Sequence, residues 1–129
     1  MMIKQVSVFV ENKPGRLYAI LKAMDKSKIN IRALSVSETD EFGIVRMILD
    51  APDAGAEALK TAGFTSRTDM MVTAEIPDIP SGLLKTVVEP LSKADINIDY
   101  FYAFLDSTPG TARIVLKVSN PEKAEIILT

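Results

Sequence analysis

The chain has 129 residues, 47% hydrophobic and 25% charged, with a formal net charge of −2. That profile is globular, and its acidic balance argues against a partner held by phosphate neutralisation. It contains no cysteine and no histidine, which excludes disulfides, thiolate chemistry, the commonest metal ligands and the usual general base near neutral pH.

In chain order, Ile3–Val10 reads as a strand, because Val6, Val8 and Val10 alternate with Gln5, Ser7 and Phe9. Glu11-Asn12-Lys13-Pro14-Gly15 is a loop, and Pro14 suits the start of a helix carrying Leu17, Ile20, Leu21 and Met24. Asn30–Ser37 is a second strand, Thr39-Asp40-Glu41 a turn, and Phe42–Leu49 a third strand with Val45, Met47 and Leu49 on one face. Pro52–Ala62 is a helix that ends at Gly63, and Phe64–Thr68 is a short fourth strand. The order is βαββαβ.

The same order then recurs. Lys26-Ser27-Lys28-Ile29-Asn30-Ile31 returns as Lys93-Ala94-Asp95-Ile96-Asn97-Ile98, an offset of 67 that also matches Leu17 to Leu84, Met24 to Leu91 and Arg46 to Arg113. Met70–Ile76 opens the second copy, followed by the loop Pro77–Gly82, a helix with Leu84, Val87, Val88 and Leu91, strands Ile96–Leu105 and Thr111–Val118 around the turn Asp106–Gly110, and a helix capped by Asn120 and Pro121. The second copy stops without a counterpart of the fourth strand. The opening strands match best at an offset of 66, so one extra residue lies before Ile96. It sits either in the Pro80-Ser81-Gly82 loop or at Pro90, which is expected to kink or bulge the helix. The division expected is residues 1–68 and 69–129.

The stretch from Val8 to Leu17, with Asn12-Lys13-Pro14-Gly15-Arg16-Leu17 at its core, followed by Ile29-Asn30-Ile31, resembles the ACT domain, and the repeat makes the chain resemble two such modules in tandem. The resemblance implies an α+β fold of two ferredoxin-like modules, each an antiparallel sheet with helices on one face, the second lacking its last strand. It implies a non-enzymatic regulatory module that binds a small ligand, most often an amino acid, between paired modules, and acts on a metabolic enzyme or regulator. The alternative is an interaction subunit that keeps the fold without a ligand.

The residues support part of this independently. A loop ending in Pro-Gly at a helix start exposes backbone N–H groups at the positive end of the helix dipole, which suits a carboxylate. Gly15 permits close approach, and Asn12 offers a donor and an acceptor. The candidate ligand residues are Asn12, Lys13, Pro14, Gly15, Arg16, Leu17, Asn30, Asn97 and Ile98; none is assigned to catalysis or to a metal, and no cofactor is expected. Read alone, Pro14-Gly15 is also an ordinary helix start, Asn30 and Asn97 are also turn or cap residues, and Arg16 is also a solvated first-turn residue. In the second loop Asp78 or Ile79 replaces Asn12, so that loop is expected to bind weakly or not at all. The resemblance places the ligand between the loop before one module's first helix and the start of its neighbour's second strand. The two copies, expected to pack as a pseudo-dimer, should therefore form one good site with Asn12 facing Asn97. If modules pair between chains, Asn12 faces Asn30 of another chain.

Ile96–Leu105 is apolar on both parities, with Ile98, Tyr100, Tyr102 and Phe104 on one and Phe101, Ala103 and Leu105 on the other, which predicts a homodimer or larger assembly. No apolar stretch approaches the about 20 residues that span a bilayer, and no targeting segment is evident. The expected location is therefore cytoplasmic, with neither a membrane nor a nucleic-acid partner.

Overall fold

The computed structural model describes residues 2–106 and 108–129. Among them lie six strands and four α-helices. These are β1 (Met2–Glu11), α1 (Arg16–Lys26), β2 (Ile31–Glu38), β3 (Phe42–Leu49), α2 (Pro52–Thr61), β4 (Thr65–Pro77), α3 (Glu89–Lys93), β5 (Ile98–Ala103), β6 (Thr111–Val118) and α4 (Pro121–Leu128). One π-helical turn, Leu84–Val88, runs directly into α3. The chain divides into two compact units, one of Lys4–Asp69 and one of Met70–Thr129, with Met2 and Ile3 counted in the latter. This is the α+β, ferredoxin-like tandem that the family resemblance implied.

In the first unit the strand order is β2-β3-β1-β4. Val6 pairs with Met47 and Val8 with Val45, so the alternation read from the sequence brings the apolar parity of β1 and β3 onto one face. Ile20 and Met24 of α1 and Leu59 of α2 pack there and are fully buried or nearly so. Each such side chain contributes about 1.5–3 kcal/mol by leaving water. The second unit repeats this with β4-β6-β5. Val72, Ala74, Ile114, Leu116 and Val118 meet Val87, Leu91 and Ala124.

Two features differ from the sequence reading, and a third decides an alternative that it left open. The strands expected at Phe64–Thr68 and from Met70 are one continuous strand, β4, because nothing in Ser66–Met71 breaks an extended backbone. Next, β5 does not hold a single parity. A bulge between Ile98 and Tyr100 sets Ile98 opposite Val118 but Tyr100 opposite Lys117. Ile98 therefore faces the helices along with Phe101 and Ala103, while Tyr100 and Tyr102 share the other face. The first unit has the same bulge between Ile31 and Ala33. Finally, the extra residue lies in the helix, not in the loop. The second loop follows the first at an offset of 66: Asn12 N–H to Glu41 O matches Asp78 N–H to Gly110 O, and Arg16 N–H to Lys13 O matches Gly82 N–H to Ile79 O. After the helices the offset is 67, with Ile29 N–H to Met24 O matching Ile96 N–H to Leu91 O. The π turn absorbs the difference: Glu89 N–H bonds Leu84 O, five residues back. Pro90 follows immediately and has no N–H to place, so the wider turn leaves one fewer orphan. The turn expected over Asp106–Gly110 includes Ser107, which lies outside the described residues.

Candidate functional site

The β1–α1 loop is shaped by backbone bonds before any side chain acts. Lys13 N–H returns to Glu11 O at 3.0 Å, and Ala19 N–H to Gly15 O at 3.0 Å. Gly15 is the N-cap, with φ 92, and no side chain caps α1. Only glycine takes that left-handed conformation without steric cost. Open space surrounds the position a Cβ would fill, so the glycine is required by its backbone and leaves room above the helix start.

Of the expected ligand residues, Asn12, Lys13, Pro14, Gly15, Arg16 and Leu17 sit together on this loop. Asn12 is exposed, and its Nδ2 donates to Glu38 Oε2 at 2.8 Å and to Thr39 O at 3.3 Å. Its amide donor thus ties the loop to the β2–β3 turn. Lys13 Nζ lies 3.3 Å from Glu11 Oε2. Asn30 stands just before β2, where its N–H donates to Asp50 Oδ1 and its carbonyl accepts from Asp50 N–H, both at 3.0 Å. Asn97 repeats this with Ser119 and adds a bond from Nδ2 to Asp99 Oδ1 at 2.8 Å. Ile98 is half-buried at the start of β5. Asn97 and Ile98 belong to the second unit; the loop, Asn30 and the cleft described next belong to the first.

Arg16 is different from its neighbours. Its Nε is buried and has no hydrogen-bond partner. A buried unpaired donor costs about 1–3 kcal/mol, more for a charged group. The side chain lines a cleft of about 350 Å³ within the first unit. Phe9 and Glu11 of β1 form one wall, Phe42 of β3 another, and Gly63 and Phe64, between α2 and β4, the third. Phe9 and Phe42 are 49% and 57% exposed, so two aromatic rings and a guanidinium meet water at one place. The cleft's size is at the lower end for small-molecule sites. The sequence reading did not assign Phe9, Glu11, Phe42, Gly63 or Phe64. Phe9, an aromatic on the polar parity of β1, is the one whose position was visible as a signal.

The second loop is built differently at the same point. Gly82 stands where Arg16 stands, and a Cβ there would lie 2.0 Å from the carbonyl oxygen of Pro77. Asp78, not Ile79, takes the place of Asn12. Elsewhere in the first unit, a groove of about 710 Å³ runs between α1 and α2 over Ala19, Ala23, Ala54 and Ala58; among the described residues that line it, no buried side-chain polar atom lacks a partner. Among the described residues no cluster of acidic side chains could hold a metal ion, and no helix is long and apolar enough to cross a membrane.

Comparison with known proteins gives a consistent family picture. The family described as an ACT domain pair matches residues 1–129. The solved structure of protein BT0572 from Bacteroides thetaiotaomicron is 34% identical, with a TM-score of 0.92 over 99% of this chain and 87% of that one. The ligand-free regulatory subunit of aspartate kinase from Thermus thermophilus has a TM-score of 0.65 at 11% identity, over 99% of this chain and 93% of that one. A structure of aspartokinase alpha and beta subunits has a TM-score of 0.59 at 17% identity, over 98% and 93%. At those identities the two kinase structures show the shared fold alone. No curated protein matches the chain.

Proposed function

We propose that this chain, which belongs to the ACT domain pair family, is a regulatory protein without catalytic activity of its own that binds a free amino acid and transmits its presence to a partner enzyme or regulator. One observation carries the reading: Arg16 Nε stands buried and unpaired beside a cleft that also holds Glu11. A guanidinium and a carboxylate on one small cleft complement the carboxylate and ammonium of a zwitterion. The uncapped start of α1 with Gly15 adds partial positive charge on the same side. One of the structural neighbours is itself a regulatory subunit, that of aspartate kinase, and a regulatory role for this chain is in keeping with it.

The test is a thermal melt of the whole chain against each of the twenty amino acids. Ligand binding to the folded state raises the midpoint by mass action, by about 2.7 kcal/mol in stability at a hundredfold excess over Kd. A rise for one or a few amino acids is the expected outcome. A flat response across the panel overturns the reading and favours an interaction subunit that keeps the fold without a ligand.

The proposal extends to assembly: the protein acts as a homodimer. Tyr100 and Tyr102 stack at 6.5 Å on the sheet face away from the helices, and the Arg113 guanidinium sits 4.1 Å from the Phe104 ring. Such an aromatic face suits burial against a second copy. Light scattering at micromolar concentration should give twice the chain mass; a monomer there defeats this part of the proposal.

A further inference from the structure

We infer that the cleft in the first unit selects amino acids with bulky apolar side chains, aromatic or branched aliphatic, over small, acidic or basic ones. This rests on the reading of the protein as an amino-acid binder and adds to it the ligand class. Three phenylalanines, Phe9, Phe42 and Phe64, line the cleft, and they come from three elements far apart in the chain. Phe9 and Phe42 are about half exposed although both lie in strands that otherwise bury their apolar residues well. Aromatic walls around a concave site recognise apolar and aromatic groups by area and ring packing, not by hydrogen bonds.

The charges divide the remaining work. Arg16 lines the cleft, and its guanidinium can donate to a ligand carboxylate there, while Nε lies buried behind it. Glu11 faces the same cleft and is held at 3.3 Å by exposed Lys13, an ion pair that a ligand ammonium can replace without burying new charge. Arg16 and Glu11 are the only charged side chains among the described residues that line this cleft. An acidic ligand side chain would have one guanidinium for two carboxylates. A basic one would have to desolvate its charge against phenyl rings. Serine or glycine would leave the rings wet and gain little.

The experiment is isothermal titration calorimetry on the full chain with L-phenylalanine, L-leucine, L-serine, L-aspartate and L-lysine, and with 3-phenylpropionate and phenethylamine as probes lacking the ammonium and the carboxylate. L-phenylalanine or L-leucine should bind at least tenfold more tightly than serine, aspartate and lysine. Both incomplete probes should bind more weakly than L-phenylalanine. Arg16→Gln should lower affinity for L-phenylalanine tenfold or more with no fall in melting temperature. Arg16→Lys keeps the charge but removes the planar guanidinium fork and should not restore binding. Phe42→Ser, at an exposed position, should erase the preference for phenylalanine over serine. If serine, aspartate or lysine binds as tightly as phenylalanine, or if Phe42→Ser leaves selectivity intact, the apolar class is wrong while amino-acid binding stands. If no amino acid binds, both readings fall together.

Discussion

The two loops that lead from a unit's first strand into its first helix have the same backbone hydrogen bonds and opposite contents. In one, Arg16 extends a guanidinium over a cleft. In the other, Gly82 stands at the same point, and the Pro77 carbonyl occupies the space a side chain would need. Gly15 turns through φ 92 before α1, whereas its counterpart Ser81 does not have a positive φ. A fold can thus be copied faithfully while its concavity is not. The hydrogen-bond frame is set by backbone, but a site is set by which positions have room for a side chain.

Exchanging residues between the loops is the strongest way to break this comparison. Gly82→Ala should cost about 3 kcal/mol, because the obstacle is a backbone oxygen that cannot rotate away. The reverse exchange, Arg16→Gly, should be close to neutral, because loss of the unpaired Nε offsets the about 1 kcal/mol of helix propensity. Urea unfolding of both variants measures the contrast, and equal losses would mean that the loops are equally tight. Next in size is Gly15→Ala, which forces an L-residue into the left-handed region and should lose about 1–2 kcal/mol. Ser81→Gly should lose about 0.5 kcal/mol by the same measurement, from unfolded-state entropy alone.

A smaller contrast lies where each second strand begins. Asn30 N–H donates to a carboxylate, Asp50, and Asn97 N–H to a hydroxyl, Ser119, each at 3.0 Å. Charge-assisted bonds are the stronger, although exposure weakens both. Asp50→Ala should therefore lose about 1 kcal/mol and Ser119→Ala about half that; a reversed order in urea midpoints would overturn the comparison. The smallest effect is at Glu89, which has no counterpart of its kind in α1. Lys93 and then Lys85 hold its carboxyl below the usual range. A lowered folded-state value means that the contribution is present above the ordinary value of 4.5 and is lost as pH falls through and below it. Glu89→Gln should flatten the fall in melting temperature between about pH 5 and pH 3 slightly. An unchanged slope would show the two lysine contacts to be inert.

Much of the frame was visible in the residues. Leu17, Ile20, Leu21 and Met24 repeat at helical spacing, the valines of β1 alternate, and Ile-Asn-Ile occurs twice. What was hidden depends on contacts between distant segments. Asn12 is an open amide in the sequence; only the β2–β3 turn brings Glu38, 26 positions away, to its Nδ2. Phe9, Phe42 and Phe64 converge only once β1, β3 and the approach to β4 are side by side. The bulges left a trace that simple alternation overlooks: Ile31 and Leu34, like Ile98 and Phe101, share a face at a spacing of three, which a regular strand does not allow. The place of the extra residue could not be read, because a loop and a helix can each absorb one without changing the apolar pattern.

The π turn at Leu84–Val88 gives that one residue a historical meaning. An insertion in an α-helix ordinarily rotates everything beyond it by about 100° and scrambles the packed face. Here the widened turn confines the rotation to the helix start, so Val87 and Leu91 still reach the core while the loop ahead of them is shifted by a residue. After a duplication, such an insertion lets one copy drift in its exposed loop while each copy keeps its own packed interior. Divergence of this kind needs no loss of foldability along the way, and Pro90, which would obstruct a return to the regular helix, makes the step hard to reverse.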